Sequence, residues 1–468
     1  MLARTTSLTL SSGSERAMLD GHHQQQQPPS SSAAAAALQD EGGVDGPARR
    51  VVWVPGPVIV GAGPSGLATA ACLKARGVPS LVLERGGSVA PSWRHRTYER
   101  MHLHLPLCFC ELPMAPFPPG TPPYPSRDQF VAYLDAYARD FALEPLFRAQ
   151  VRSAAYDAAI GFWRLQVDVD AGAGDGEEDG GDTTTTTTTT EFVSRWLVVA
   201  TGENAEPVWP EGMMAAGDGV YRAGPVMHTS AYKRGDGFAG KKVLVVGCGN
   251  SGMEVSLDLC DNGAKASMVV RDKLHVLPRD ILGISTFGLS VCLVKWFPIK
   301  WVDALLLFFS RLILGDTEKY GLQRPKIGPL QIKRSTGKTP VLDIGALRRI
   351  RDGEIKVVPA INRFTEGGVE FADGRREDFD AVILATGYKS NVPSWLKEDE
   401  FFSETDGFPR KEFPHSWRGK NGLYATGFTR RGLMGSSYDA SRIAADIANQ
   451  WTEALAASSV AAAAADTN

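Results

Sequence analysis

Two short glycine-rich segments carry residue types and spacing suited to chemistry. Gly61-Ala62-Gly63-Pro64-Ser65-Gly66 follows the apolar run Val58-Ile59-Val60, and Gly247-Cys248-Gly249-Asn250-Ser251-Gly252 follows Val243-Leu244-Val245-Val246. Each reads as strand, tight turn, helix. The first glycine permits the turn, the second lets backbone approach a pyrophosphate, and the third allows close helix–strand packing. The helix N-terminus then presents its N–H groups to phosphate. One such motif is weak evidence. Two, each after a strand and before a helix, point to two bound dinucleotides.

The next strand of each unit distinguishes the two nucleotides. Leu81-Val82-Leu83 ends in Glu84, a carboxylate placed to accept from a ribose hydroxyl, as FAD offers. Met268-Val269-Val270 ends in Arg271, which suits the 2′-phosphate of NADPH rather than NAD. Both charges lie at the expected distance of about 20 residues from their glycines. The bland alternative for both is an ordinary surface charge after a strand.

Other segments must position these sites. Val198-Val199-Ala200-Thr201-Gly202 and Val382-Ile383-Leu384-Ala385-Thr386-Gly387 are apolar runs ending in Ala-Thr-Gly, where small residues let backbone pass close to a nucleotide or turn between domains. The strand Leu423-Tyr424-Ala425-Thr426 leads through Gly427 to a helical stretch from about Ser437 to Trp451. The expected fold class is α/β, with two Rossmann-like dinucleotide-binding domains, the NADP domain inserted into a discontinuous FAD domain. Expected boundaries are 1–50 for a disordered, low-complexity N-terminus, 51–205 for the first part of the FAD domain, 206–338 for the NADP domain, 339–455 for the second part of the FAD domain, and 456–468 for a disordered tail. The core is expected to start at Val58. A biased patch at 170–190, with the run Thr183–Thr190, reads as the tip of a hairpin between strands around Trp163–Val167 and Trp196–Val199.

Bulk properties exclude several classes. The 468-residue chain has a net charge of −3, so nothing suggests nucleic acid. Its six cysteines form no C-x-x-C, which fits a reducing compartment and argues against a disulfide framework, a zinc site or a thiol redox centre; no metal is expected. Cys108-Phe109-Cys110 reads as structural. The N-terminus, rich in Gln, Pro, Ser and Ala, only faintly resembles a transit peptide. A cytoplasmic location is expected, with organelle targeting or attachment to the endoplasmic reticulum surface as alternatives. The apolar stretch Trp301–Leu314 is too short for a span and holds Asp303 and Arg311, so a buried or partly buried helix is favoured over a surface-lying membrane contact.

FAD and NADPH on one chain mean that hydride can reach the flavin. Without a cysteine pair or an iron–sulfur motif, the obvious acceptor is O2, which reacts with reduced flavin to give a C4a-(hydro)peroxide. At this point the chain resembles the class B flavin-containing monooxygenases and, within them, the plant YUCCA enzymes of auxin biosynthesis. The resemblance runs from about Val58 to Gln450. It rests on Pro91–Arg100 with His102-Leu103-His104-Leu105-Pro106, on Pro298-Ile299-Lys300, Arg324–Pro329 and Val341–Gly345, and on Leu384–Tyr388 and Gly432-Leu433-Met434-Gly435. The family motif F-x-G-x-x-x-H-x-x-x-[YF/W] keeps Gly224, His228 and Tyr232, but its first position is Arg222, with Tyr221 one residue early. The final Tyr232 favours the N/S-oxygenating and YUCCA side over Baeyer–Villiger enzymes.

The resemblance implies oxidative decarboxylation of indole-3-pyruvate to indole-3-acetate. The peroxide attacks the keto carbonyl, so no side-chain nucleophile is required and no catalytic residue is assigned. His228 is implied to shape domain coupling. Trp93 reads equally as a wall of the flavin site or as core. Asn204 reads as a helix cap rather than a hydrogen-bonding residue near the cofactors, and the aromatics of Trp296–Phe309 as core rather than an indole pocket. Competing readings are an N- or S-oxygenating monooxygenase and a nucleotide-binding regulatory protein.

Overall fold

The chain alternates short apolar strands with helices, and the computed structural model assembles them around two parallel sheets. It describes residues 50–171, 186–210, 221–398 and 400–465, all within the compact unit Pro47–Asn468. The expectation of disorder over 1–49 lies outside these residues.

Each sheet has a fingerprint strand in the interior. In the first, the order is Leu423–Ala425, Leu197–Val199, Val58–Val60, Leu81–Leu83, all parallel. In the second it is Lys356–Val358, Lys265–Val269, Lys242–Val246, Ala381–Leu384, Val226–His228, again all parallel. The fully buried runs Val58-Ile59-Val60 and Val243-Leu244-Val245 suit strands covered on both faces. The two units repeat one plan. Val60 lies between Leu83 and Val199 as Val246 lies between Val269 and Leu384. Each fingerprint strand therefore has the charge-bearing strand on one side and the strand entering Ala-Thr-Gly on the other.

The sheets correct the expected boundaries. Residues 339–384 do not return to the first sheet at 339. Lys356–Val358 and Ala381–Leu384 complete the second, and the chain rejoins the first only at Leu423–Ala425. The last helix, Gly432–Ala465, packs on Pro64–Lys74 and continues through residues expected to be a tail. Its end is rich in alanine, the strongest helix former.

A third, mixed sheet has the order Arg50–Val54, Thr186–Ser194, Phe162–Ala171, Ala149–Asp157, Leu396–Lys397, with its two central pairings antiparallel and its two outer ones parallel. It holds two corrections. The strand Arg50–Val54 precedes the expected start of the core and pairs with Thr190–Ser194. The partner of Phe162–Ala171 is Thr186–Ser194, not the strand at 197–199, and the pairing reaches Ala171 opposite Thr186. Part of the threonine run is thus strand, as β-branched side chains favour.

Candidate functional site

The first fingerprint turns from strand Val58–Val60 into helix Pro64–Lys74. Gly61 has φ +110°, and a Cβ there would fall 2.7 Å from the Ala200 carbonyl oxygen. A Cβ on Gly66 would collide with the Gly61 carbonyl, whereas one on Gly63 would meet no protein atom within 4 Å. The second glycine alone faces free space, as a pyrophosphate cradle requires. A cavity of about 620 Å³ opens over this turn, walled by Gly61, Gly63, Pro64, Ser65, Glu84 and Trp93 among others. Ala62 lies fully buried beneath it.

Glu84 is buried at 6 % exposure. Its carboxylate accepts the Ala62 N–H at 2.8 Å and the Gly86 N–H at 2.8 Å, one on each oxygen. Those bonds fix the side chain while leaving lone pairs on both oxygens for ribose hydroxyls. Trp93 meets both sequence readings. It stands on the cavity wall and its ring lies edge-on to Phe130 at 4.6 Å. Ser65 Oγ donates to Ser436 Oγ at 2.9 Å, tying the first helix N-terminus to the last helix. Asn204 is not a cap. It is exposed on the cavity wall and leads into the strand Glu206–Pro207, not a helix.

The second fingerprint repeats the geometry. Gly247 has φ +117° and a Cβ there would fall 2.5 Å from the Ala385 carbonyl oxygen. Gly252 abuts the Gly247 carbonyl, and Gly249 faces free space. Cys248 is half-buried, its thiol pushed up to about 11 by burial, which keeps it protonated and unreactive. Asn250 Oδ1 accepts the Leu342 N–H at 3.0 Å, pinning the motif to the following segment. Ser251 lies beside Tyr98, within reach of its hydroxyl. Arg271 reaches solvent at 79 % side-chain exposure, and its Nη2 lies 3.2 Å from Asp272 Oδ2. Lys338 Nζ approaches the same oxygen at 3.5 Å. Two cations share one carboxylate, leaving net positive charge at the end of the strand. Lys338 escapes sequence reading because only the fold brings it beside Arg271.

The loop after Glu84 joins the two sites. The Tyr98 hydroxyl donates to Glu254 on the second fingerprint helix, and Arg100 Nη1 pairs with Asp261 at 3.0 Å. Lys233 Nζ donates to the His95 carbonyl at 2.6 Å, and the Glu99 N–H to the Lys233 carbonyl at 2.9 Å. Arg85 and Arg96 both donate to the Ala205 carbonyl, at 3.2 and 2.6 Å, beside the first cavity. Glu203 also lines that cavity, and burial pushes its carboxyl up.

The linker motif is structural throughout. His228, 1 % exposed, accepts the Ser230 N–H on Nδ1 at 3.1 Å, so its proton sits on Nε2, which donates to the Gly387 carbonyl at 3.0 Å. Burial pushes its pKa down. The Tyr232 hydroxyl donates to Asp258 Oδ2 at 2.5 Å. Arg222 is exposed, and Tyr221 takes the buried place beside it, donating to the Phe379 carbonyl at 2.6 Å. A buried aromatic thus stands one residue before the motif's first position. Burial pushes the Cys110 thiol up to about 12, so the Cys108–Cys110 segment offers no ready thiolate there.

The profile of the flavin-binding monooxygenase-like family matches residues 57–407, most of the chain. The chain belongs to that family. This flavin monooxygenase is 60 % identical over 398 residues to indole-3-pyruvate monooxygenase YUCCA4 of Oryza sativa subsp. japonica, covering 85 % of this chain and 88 % of that one. It is 58 % identical over 416 residues to indole-3-pyruvate monooxygenase YUCCA6 of Arabidopsis thaliana, covering 88 % and 95 %. Among solved structures, the fold is similar to a flavin-containing monooxygenase from Stenotrophomonas maltophilia, with TM-score 0.59 and 20 % identity over 86 % of this chain and 99 % of that one. A steroid monooxygenase bound to NADP aligns with TM-score 0.62 and 18 % identity over 85 % of each chain.

Proposed function

We propose that this flavin monooxygenase uses FAD and NADPH to convert indole-3-pyruvate and O2 to indole-3-acetate and carbon dioxide, a step of auxin biosynthesis, in the cytoplasm. The observation that carries the substrate is the 60 % identity to a relative named for that reaction, spread over 85 % of this chain. The paired sites are consistent with the two cofactors.

Gly61, Ala62, Gly63, Pro64, Ser65 and Gly66 cradle the FAD pyrophosphate at the N-terminus of Pro64–Lys74, Glu84 holds the ribose, and Trp93 walls the site. Gly247, Cys248, Gly249, Asn250, Ser251 and Gly252 do the same for NADPH, with Arg271 on the 2′-phosphate. When bound, the flavin supplies the hydride acceptance and oxygen activation. The protein holds the two nucleotides in register through the Tyr98–Glu254 bond and the buried His228–Gly387 bond. His228 stays neutral and does not act as an acid or base, because both ring nitrogens are committed to the linker.

Anaerobic reduction with NADPH, admission of O2 and mass spectrometry of products from indole-3-pyruvate test this reading. Indole-3-acetate formed in proportion to NADPH consumed supports it. Oxygenation of a thioether or amine, with indole-3-pyruvate untouched, would replace it.

A further inference from the structure

The helices Thr286–Val294 and Ile299–Leu314 form a hairpin with one covered and one bare face. On the covered face of the second helix, Val302, Leu306, Ser310 and Leu314 are buried. Asp303 is 3 % exposed and accepts the N–H groups of Leu330 at 2.8 Å and Gln331 at 3.2 Å. On the bare face, Trp301, Leu305, Phe308 and Leu312 follow one another at helical spacing, exposed by 69, 38, 60 and 70 %. The turn between the helices adds Trp296 at 80 % and Phe297 at 47 %. The sequence expectation that these aromatics form core is therefore overturned for Trp296, Phe297, Trp301 and Phe308. Single exposed apolar side chains need no explanation, but a continuous stripe of them does.

Charge selects the occupant. Between Val294 and Ile313 the exposed charges are Lys295, Lys300 and Arg311, and the sole acid, Asp303, is buried. The exposed charges along this turn and helix are thus all basic, although the chain carries net charge −3. In a two-fold pairing of this face with a second copy, these cations would oppose one another. Two exposed tryptophans beside lysines have the composition of a helix lying at a lipid–water boundary. Among the described residues no helix is long and apolar enough to cross a membrane, so the contact lies along the surface. We propose that the 286–314 hairpin docks the enzyme on an anionic phospholipid surface through Trp296, Trp301, Phe308 and Leu312, with Lys295, Lys300 and Arg311 on the headgroups.

The test uses the full-length flavoprotein sedimented with vesicles of phosphatidylcholine alone or mixed with phosphatidylserine, with sedimentation velocity in parallel. Binding is expected to the anionic vesicles, to fall with salt, and to be weak on the neutral ones. Each basic residue near such a surface is worth about fivefold in partition, so Lys295→Glu/Lys300→Glu/Arg311→Glu lowers binding on the order of 100-fold or more. Trp296→Ser/Trp301→Ser/Phe308→Ser abolishes it while flavin content and NADPH consumption in solution persist. Three results would overturn the proposal: no binding to anionic vesicles, binding that survives both triple variants, or a dimer in sedimentation velocity that the apolar variant dissolves. None of these readouts depends on the identity of the substrate.

Discussion

The carbonyl oxygen of Ala200 lies 2.7 Å from the point where a side chain on Gly61 would begin. Ala385 stands in the same relation to Gly247 at 2.5 Å, so each Ala-Thr-Gly segment presses on the glycine turn of its own nucleotide site. Within a fingerprint, the glycines therefore divide into packing positions and a ligand position. Gly63→Ala is expected to fold with the thermal stability of the FAD-free parent and to lose FAD, because only the cofactor meets the new methyl group. Gly66→Ala is expected to lose the fold, since its Cβ collides with the Gly61 carbonyl. Absorbance at flavin wavelengths and circular dichroism of both variants separate the outcomes. A yellow Gly63→Ala protein would remove the cradle from this turn.

Arg271 and Lys338 converge on Asp272 at 3.2 and 3.5 Å, the place proposed above for the 2′-phosphate of NADPH. Arg271→Ala is expected to lower the preference for NADPH over NADH by roughly 10- to 100-fold, the worth of a charge-assisted hydrogen bond. The rate at saturating NADPH should hold, because the contact is the same in ground and transition states. Lys338 or the adjacent Lys273 can blunt the single change, so the Arg271→Ala/Lys338→Ala and Arg271→Ala/Lys273→Ala pairs are measured beside it. An unchanged ratio of kcat/KM values in all three proteins would place phosphate reading elsewhere.

His228 links stability to acid. Its folded pKa is pushed down by burial, while an unfolded imidazole titrates near about 6.5. As pH falls through about 6.5, the unfolded chain binds a proton that the folded chain refuses, so stability is lost down to the folded pKa. His275, also lowered by burial, adds in the same direction. Calorimetry from about pH 8 to about pH 5 should show Tm falling, and His228→Gln should flatten part of that fall. Equal slopes in parent and variant would clear His228 of this role.

Tyr232→Phe removes the hydroxyl that serves Asp258, a carboxylate of 8 % exposure. Arg100 at 3.5 Å remains its nearest cation. Leaving one buried lone pair unserved costs about 1–3 kcal/mol, read as a lower urea midpoint with an unchanged m-value. A midpoint within error of the parent would mean that water replaces the hydroxyl.

The glycine turns were legible because Gly61 and Gly247 take positive φ and Gly66 and Gly252 leave no room for a Cβ, requirements that are local. The side of the sheet on which Ala381–Leu384 would pair was not, since Leu197–Val199 and Ala381–Leu384 are alike as apolar runs before Ala-Thr-Gly. Only long-range pairing sends one to each sheet. Trp301 and Phe308 were misassigned to core because helical spacing gives the direction of a stripe and not what covers it. Tyr221 shows the reverse case: the motif looked broken at Arg222, yet the neighbouring Tyr221 is buried and donates to the Phe379 carbonyl. Lys338 carried no signal, because it meets Asp272 beside Arg271 only once the segment after Pro329–Thr336 is folded against the end of Lys265–Val269.

The threonine tract has a hereditary consequence. Thr186–Thr190 lie in a strand opposite Val167–Ala171, and every one of these five register positions holds the same residue. A one-residue slip ordinarily sends each side chain of a strand to the wrong face. Here, a tract that gains or loses a threonine during replication still offers threonine at each of these positions. Alleles differing in tract length should therefore share one enzyme core and be nearly invisible to selection on catalysis.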